Sequence, residues 1–476
     1  MNGPYVRRDI YSLDPDDPIV VGYANAVATM KQRDTVPTDV TSWAYQAGIH
    51  GSYAPPQALW NTCEHGSWFF TPWHRMYLRW FEEIVRAAVV LNNGPEDWAL
   101  PYWNYTATDG GNPVLPPAFR DPGSPLYVAQ RRTTPFDVNG GDPIPAGATL
   151  IDATLQVPTF VPPDGAPPSA GFGGQRSAPI HFGRGFGALE LQPHNVMHNA
   201  IGGFGGLMTD PNTAAQDPIF WLHHANIDRL WASWNAAGRG NPTNDGLWAA
   251  QDFSFFSADG GQQAMPCGKV NDTMDYTYDR LSPVPPPTGP TSPSGPAGPQ
   301  ASALTEDAPH AELVGASRES VTLTGRRTAG SVGIDRRASD LVQAGLGDEE
   351  DAGPRRVLLS LDDIEAEQNP GTVYGVYVNL PDGATEDQAE EHLAGALSFF
   401  GIEQVTESTT DGEHGHSYSA GFDITELVGR LSARGAWDGS NVDVTFHPLG
   451  VPQGDDSLEA EGLPEVTVGR ISVHYV

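Results

Sequence analysis

The sequence predicts a mainly α-helical region followed by a β-rich C-terminal region. Amphipathic helix patterns and eleven of the twelve tryptophans lie within residues 1–281, whereas strand-like alternation dominates after residue 355. Between them, residues 282–300 (SPVPPPTGPTSPSGPAGPQ) are rich in Pro, Gly and Ser and cannot bury a core. We therefore predict a helical domain at 1–281, a linker at 282–300 and an acidic β-rich domain at 301–476.

The charge of the chain narrows the classes of partner. The formal net charge is −33 over 476 residues, and residues 301–476 carry 32 acidic against 10 basic side chains. Nucleic acid and anionic membrane surfaces repel such a chain, so we expect neither as a partner. Two cysteines are too few for a disulfide scaffold, and no signal peptide or membrane span is recognisable. We expect a cytoplasmic protein, with export by a carrier protein as the alternative.

Helix signals divide the first region into short and long elements. Asp39 and Asp217 are suitable N-caps, and Pro218 suits the first position of a helix. Residues 104–182 are rich in Pro, Gly and Asp, which predicts a long loop, and loops of this length are usually functional. The predicted helices are Ile19–Gln32, Asp39–Gly48, one that opens at Thr71 and continues past Leu91, His194–Ala200 and Asp217–Trp234.

The C-terminal region alternates strand-like runs with two helix patterns. Residues 301–354 are polar, and the sequence predicts no firm order there. The predicted strands are Arg356–Leu361, Val373–Leu380, Val442–His447 and Val466–Val476, and the predicted helices are Glu386–Phe400 and Thr425–Ala433.

Histidines in the helical region form two candidate metal sites. His194 and His198 are four residues apart, on one face of a helix, which is a usual way to present two imidazoles to one metal. The helix from Asp217 adds His223 or His224; adjacent residues point about 100° apart, and periodicity does not choose between them. A second trio is available from His50, His65 and His74.

The donor set narrows the choice of metal. No cluster of cysteines or carboxylates accompanies these histidines in the sequence, which argues against structural zinc and against hard cations. Sets made of imidazoles alone suit copper, zinc or iron. Two trios on separate helical segments predict a pair of metal ions held inside a helix bundle.

Three stretches carry a resemblance to a known family. His65–Glu83 (HGSWFFTPWHRMYLRWFEE), His194–His198 (HNVMH) and Asp217–Trp231 (DPIFWLHHANIDRLW) closely resemble the two copper-binding motifs of the type 3 copper family. That family comprises tyrosinases, catechol oxidases (polyphenol oxidases) and haemocyanins. Val6–Ile10 and Tyr276–Tyr278 resemble its domain-edge motifs, and the C-terminal region is similar to the trailing domain of plant polyphenol oxidases.

The resemblance implies a dicopper site with a defined set of ligands. It favours His224 over His223, which then becomes a packing residue beside the metal. His181 is the alternative to His50, because the sequence that flanks His50 carries little of the family's motif. The implied ligands are His50, His65 and His74 for the first copper and His194, His198 and His224 for the second.

Cys63 lies two residues before His65, so in an extended segment its sulfur points the same way as the ring. Several members of the family join such a pair by a thioether bond, which the resemblance therefore implies here. The alternatives are a buried free thiol and a disulfide with Cys267.

The resemblance further implies oxidation of o-diphenols to o-quinones by O₂. Glu190 and Asn195 match residues thought to hold a catalytic water in the family, which favours additional ortho-hydroxylation of monophenols. Met208, after a run of glycines, is a candidate gate for substrate. The C-terminal region is expected to shield the site until it is removed, which would make the chain a latent precursor. The alternative functions are an oxygen carrier like haemocyanin and an o-aminophenol oxidase.

Overall fold

The computed structural model describes residues 5–286, 311–335, 356–407, 418–437, 439–453 and 463–476. Helices are the main regular elements of the first region. Between the helices run long connections with short 3₁₀ turns, as the Pro- and Gly-rich sequence predicts. The helices are α1 (Pro18–Arg33), α2 (Trp43–His50), α3 (Phe70–Leu91), α4 (Asp152–Gln156), α5 (Val196–Gly202), α6 (Ile219–Ala236) and α7 (Gly246–Ala250).

Helix starts follow local hydrogen bonding. Ser42, not Asp39, caps α2 by accepting from the backbone N–H of Tyr45, so the predicted cap was wrong. Asp39 instead accepts from the N–H of Thr41 in the preceding turn. Asp217 accepts from the N–H of Ile219 at the start of α6, as its N-cap pattern predicts.

Short strands complete the first region. Val6–Ile10 and Tyr276–Tyr278, the two edge motifs, come together because β1 (Tyr5–Arg7) pairs in parallel with β4 (Tyr276–Tyr278). A hairpin packs beside α3; it consists of β2 (Asp252–Phe256) and β3 (Gln262–Pro266).

A single antiparallel sheet organises the described part of the C-terminal region. Its strands are β5 (Glu312–Ala316), β6 (Val321–Leu323), β7 (Thr328–Ile334), β8 (Val357–Glu365), β9 (Tyr374–Val378), β10 (Leu393–Leu397), β11 (Tyr418–Asp423), β12 (Asn441–Pro448) and β13 (Val466–Tyr475). Their order in the sheet is β10-β9-β12-β7-β5-β13-β8-β11, with β6 paired to β13. The helices are α8 (Glu386–His392), α9 (Ile402–Glu407) and α10 (Thr425–Ala433). The predicted fold class, helical then β-rich, is confirmed.

One predicted helix was wrong in its second half. The pattern over Glu386–Phe400 predicted a continuous helix, but α8 ends at His392 and the chain continues as β10. Leu393–Leu397 pairs with β9, and this pairing overrides the helix propensity of Leu and Ala. The consequence is a turn at Phe399–Gly401 that faces the helical region.

The two regions share buried side chains. Val373, Ala396 and Phe400 belong to the apolar core of the helical region, and Phe186 belongs to the core of the sheet. Residues 287–300 of the predicted linker lie outside the described residues, so the domain boundaries stay predictions. Within the described residues, no helix is both long and apolar enough to cross a membrane.

A buried cluster of charges anchors α6 to the rest of the bundle. Asp228 accepts from Arg75, Arg7, Tyr276 and Tyr278, and the Arg7 guanidinium lies 3.6 Å from the centroid of the Tyr276 ring. Burial alone would raise the pKa of Asp228, but the two arginines hold that pKa below its ordinary value of 3.8. The cluster therefore fixes the helix that carries His223 and His224.

We expect Asp228→Asn to lower the free energy of unfolding by roughly 3 kcal/mol or more, because it leaves two buried arginines short of negative charge. Thermal unfolding of samples matched for metal content measures this loss. The control is Glu83→Gln in the partly exposed pair with Arg79, which should cost about 1 kcal/mol or less. Equal midpoints for the two variants would contradict a structural role of the cluster.

Candidate dinuclear metal centre

The first histidine group lies between α2 and α3. His50 is the last residue of α2, His74 lies near the start of α3, and His65 lies in the segment that connects them. Their candidate ligand atoms all lie within 4.8 Å of one another, and the Nε2 atoms of His50 and His65 are 3.2 Å apart. The structure therefore brings the predicted first trio together, whereas His181, the alternative to His50, is not part of the group.

The second histidine group is formed by α5, the turn before it and α6. His194 belongs to a wide helical turn, Glu190–Asn195, which leads into α5 and His198. Ring nitrogens of His194, His198, His223 and His224 lie within 4.8 Å of one another. The two groups adjoin, since the rings of His74 and His224 stack with centroids 4.5 Å apart.

Hydrogen bonds at Nδ1 fix the direction of most of these rings. His50, His74 and His198 each donate from Nδ1 to a backbone carbonyl, of Pro211 (2.9 Å), Phe70 (2.8 Å) and Met208 (2.8 Å) respectively. A ring held in this way leaves Nε2 unprotonated and able to bind a metal. The side chains of Glu190 and Asn195 complete the pattern at Nδ1 of His65 and His194.

Several buried ring nitrogens lack a hydrogen-bond partner among the described residues, although burying a polar atom without such a partner costs free energy. They are His74 Nε2, His194 Nε2, His223 Nε2 and His224 Nδ1. Burial, followed for most of the rings by neighbouring imidazoles, lowers the pKa values of all seven histidines, that of His74 to about 3. Neutral, convergent imidazoles without other partners fit a pair of copper ions.

His223 and His224 both face the second group, but their surroundings differ. The Nε2 of His224 lies 3.4 Å from the Nε2 of His198, and its ring contacts His74 in the first group. His223 Nδ1 lies 3.3 Å from the hydroxyl of Tyr105, away from the first group. This arrangement supports His224 as the ligand, and the choice stays a prediction.

Glu190 and Asn195 each hold a histidine ring. The Glu190 carboxylate accepts from His65 Nδ1 at 2.8 Å and from the backbone N–H of Gly66 at 3.0 Å. Asn195 Oδ1 lies 2.8 Å from His194 Nδ1, and its Nδ2 donates to the hydroxyl of Tyr418. Burial raises the pKa of Glu190 well above its ordinary value of 4.5. The sequence did not predict either contact with a ligand ring.

The Cys63 thiol is buried and makes no disulfide. Its sulfur lies 3.3 Å from Nδ1 of His181, and the same nitrogen lies 3.0 Å from the Cys63 carbonyl oxygen. Cys267 is also a buried free thiol, so the disulfide alternative is excluded in this structure. The thioether between Cys63 and His65 stays a prediction.

A side chain of the C-terminal region covers the centre. The ring of Phe400 stacks on His198 with centroids 4.0 Å apart, and it also contacts His194 (5.6 Å) and His65 (5.7 Å). Phe400 is completely buried. The sequence missed this residue because the pattern placed it at the end of a helix, and only the adjacent Gly401 signalled a turn.

Met208 does not line an open entrance in this structure. It is completely buried, and its backbone carbonyl accepts from His198 Nδ1. The preceding glycines allow close approach of the C-terminal chain, since a Cβ at Gly371 would lie 2.3 Å from Gly203. A role of Met208 as a substrate gate stays a prediction.

A helical bundle that brings two groups of imidazoles together defines a type 3 copper protein. Residues 40–146 and 156–237 match the family model described as the common central domain of tyrosinase, and residues 310–476 match a domain of unknown function. The tyrosinase HcTyr1 from Hahella sp. (strain CCB-MM4) is 32% identical over 98% of both chains. The chain belongs to the tyrosinase family. It is accordingly a copper oxidase whose cofactor is a pair of copper ions.

Plant relatives and solved structures extend the comparison. Polyphenol oxidase E from Solanum lycopersicum is 29% identical over 57% of this chain and 48% of its own length, so the chain spans about half of that relative. The structure of latent apple tyrosinase covers 100% of this chain and 97% of its own, with a TM-score of 0.62 at 20% identity. A latent aurone synthase (polyphenol oxidase) gives a TM-score of 0.62 at 19% identity, covering 100% of this chain and 90% of its own. These likenesses show that the helical and β-rich regions share one fold with latent enzymes.

The buried imidazoles predict a pH dependence for the metal-free protein. The histidine pKa values lie below 6.5 in the folded chain and near 6.5 in the unfolded chain, so only the unfolded state takes up protons as the pH falls below about 6.5. Glu64 and Glu190, whose pKa values burial raises, act in the opposite direction but are fewer. The thermal midpoint should therefore fall between pH 7 and pH 5.

Thermal scans at constant ionic strength measure this dependence. The comparison variant is His224→Leu, which removes one of the buried imidazoles and should make the decrease shallower. An equally steep or steeper decrease in His224→Leu would contradict the assignment of the effect to these rings.

Proposed function

We propose that the chain oxidises o-diphenols to o-quinones with O₂ and is latent while its C-terminal region is in place. The observation that carries the proposal is the pair of adjoining imidazole groups, with His50, His65 and His74 for one copper and His194, His198 and His224 for the other. The copper pair, when bound, supplies O₂ activation and electron transfer. Each diphenol gives up two electrons and two protons, so two diphenols and one O₂ yield two quinones and two waters.

The protein side of this reaction is binding and exclusion of water. His198 already stacks on a six-membered aromatic ring, that of Phe400, and Phe182 stacks on His65 with centroids 4.8 Å apart. The flat apolar walls of the centre therefore suit a planar ring. A phenol that binds here has to displace Phe400, which supports latency of the complete chain.

For monophenols, the proposal adds a base near the centre. Glu190 and Asn195 are buried beside His65 and His194 respectively, and the raised pKa of Glu190 makes its carboxylate a stronger base than an exposed one. Deprotonation of a monophenol is required before its ring can be hydroxylated. We propose that Glu190 and Asn195 hold the water that accepts this proton.

Phe400→Ala should raise the o-diphenol oxidation rate of the copper-loaded full chain by at least tenfold, because it removes the ring that lies on His198. Catechol oxidation, followed by quinone absorbance, measures this. Cleavage within residues 282–300 should activate the wild type and add little to the variant. The control is Phe422→Ala, which truncates a buried ring of β11 in the same C-terminal region that makes no ring contact with the histidines of the centre.

Equal activation by the two alanine variants would show that loosening of the C-terminal region, and not removal of Phe400, opens the centre. Reversible O₂ binding without turnover of catechol in every form would identify an oxygen carrier instead. Turnover of o-aminophenols alone would identify an o-aminophenol oxidase.

Glu190→Gln should reduce monophenol hydroxylation by at least tenfold more than it reduces catechol oxidation, because only the first reaction needs the base. Both rates are measured on the proteolysed, copper-loaded enzyme with copper content determined. Glu64→Gln is the matched control, since Glu64 is a buried carboxylate that bonds to Ser67 and to the N–H of Ile180. Equal losses in both reactions would assign Glu190 to the positioning of His65 alone.

A further inference from the structure

A continuous line of hydrogen bonds runs from the C-terminal region to a ring of the second histidine group. Tyr418, the first residue of β11, donates from its hydroxyl to the carbonyl oxygen of Ser398 at 3.2 Å. The same hydroxyl accepts from Asn195 Nδ2 at 3.2 Å, and Asn195 Oδ1 lies 2.8 Å from His194 Nδ1. Each of these four residues is buried.

The chemistry of the groups gives this line one direction only. A backbone carbonyl can only accept, so the hydroxyl hydrogen of Tyr418 is committed to Ser398 and the hydroxyl oxygen can only accept from Asn195. The amide of Asn195 must therefore turn its Nδ2 to Tyr418 and its Oδ1 to His194. Because Oδ1 accepts, His194 carries its proton on Nδ1 and has an unprotonated Nε2, the buried nitrogen without a partner.

Other contacts hold the same segment against the C-terminal region. Gln192 Oε1 accepts from the backbone N–H of Ala396 at 2.9 Å, two residues before His194. Asn199 exchanges amide hydrogen bonds with Asn369 at 3.1 and 3.2 Å, directly after His198. The segment that carries two ligands of the second group is thus bound on both sides by residues of the C-terminal region.

The ring of Tyr418 is itself fixed in place. It packs against Phe186 with centroids 4.9 Å apart, and β11 pairs with β8 through Tyr418 and Ile364. A rigid aromatic ring with two χ angles delivers its hydroxyl to one position. The hydroxyl is therefore positioned by the sheet together with Phe186, which the helical region contributes to the core of that sheet.

We propose that Tyr418 is a positioning residue for the second metal: through Asn195 it sets the tautomer and the orientation of His194. On this view the C-terminal region contributes to assembly of the metal centre as well as covering it. The inference rests on His194 being a ligand, as proposed above. It is independent of Phe400, because Phe400 covers the histidine rings through aromatic contacts and makes no hydrogen bond to them.

Tyr418→Phe tests this proposal in the full chain. The phenyl ring keeps the packing but removes the acceptor for Asn195, so His194 loses its fixed tautomer. Titration of the metal-free protein with copper(I) against a competing chelator should show about tenfold or greater loss of affinity for the second ion, with the first ion unchanged. NMR spectra of ¹⁵N-histidine-labelled, metal-free protein should show a mixture of the two His194 tautomers in the variant and only the Nδ1–H tautomer in the wild type.

Two further variants separate the relay from general damage. Tyr475→Phe removes a buried hydroxyl of the same sheet that has no hydrogen-bond partner among the described residues, and this variant should bind both ions as the wild type does. In an Asn195→Ala background, Tyr418→Phe should change copper affinity no further, because the relay is already broken. The proposal would be overturned if Tyr418→Phe kept the copper affinity and the His194 tautomer of the wild type. It would also be overturned if Tyr418→Phe lowered copper affinity as much in the Asn195→Ala background as it does alone.

A His194→Ala variant distinguishes failure of the relay from failure of the ligand assignment. Loss of the second ion in His194→Ala together with an intact second ion in Tyr418→Phe would refute the relay alone. Retention of both ions in His194→Ala would refute the ligand assignment and the relay with it.

Discussion

The structure depends on one constraint, which is that the buried imidazoles must be neutral and must each point an unprotonated nitrogen inward. The interior enforces the first condition, because burial and neighbouring rings lower the histidine pKa values. Hydrogen bonds at Nδ1 enforce the second, through the carbonyls of Pro211, Phe70 and Met208. The backbone around the centre is therefore part of the metal site, since it decides which nitrogen of each ring is available.

The remaining features of the helical region serve this constraint. The cluster around Asp228 fixes α6 against α3 and β1, so the rings of His223 and His224 meet those carried by the neighbouring helices. Glu190 performs for His65 what a carbonyl performs for His50, and it also has the raised pKa that a base would need. Positioning and proton transfer are thus two roles that one carboxylate can combine.

The sequence predicted the two histidine groups of the helical region because most of their members lie at short, recognisable intervals along the chain. The four-residue interval of His194 and His198 and the family motifs around His65 and His224 predicted rings that the structure brings together. The choice between His223 and His224 could not follow from periodicity, because it depends on which ring faces the first group. Register and tertiary contact decide such questions, and no local pattern encodes them.

The C-terminal region was less predictable for the same reason. Strand pairing converted the second half of a predicted helix into β10, and this change places Phe400 on His198. Tyr418 reaches Asn195 only because β11 pairs with β8 in one register. Residues far apart in sequence meet at the centre, so both contacts became visible only in three dimensions.

Anomalous scattering at the copper edge, from crystals of the copper-loaded full chain, tests the central claim most directly. The account predicts two copper ions, one bound by Nε2 of His50, His65 and His74 and one bound by His194, His198 and His224, with His223 unbound. A single ion shared by the two groups, or copper bound outside them, would contradict it.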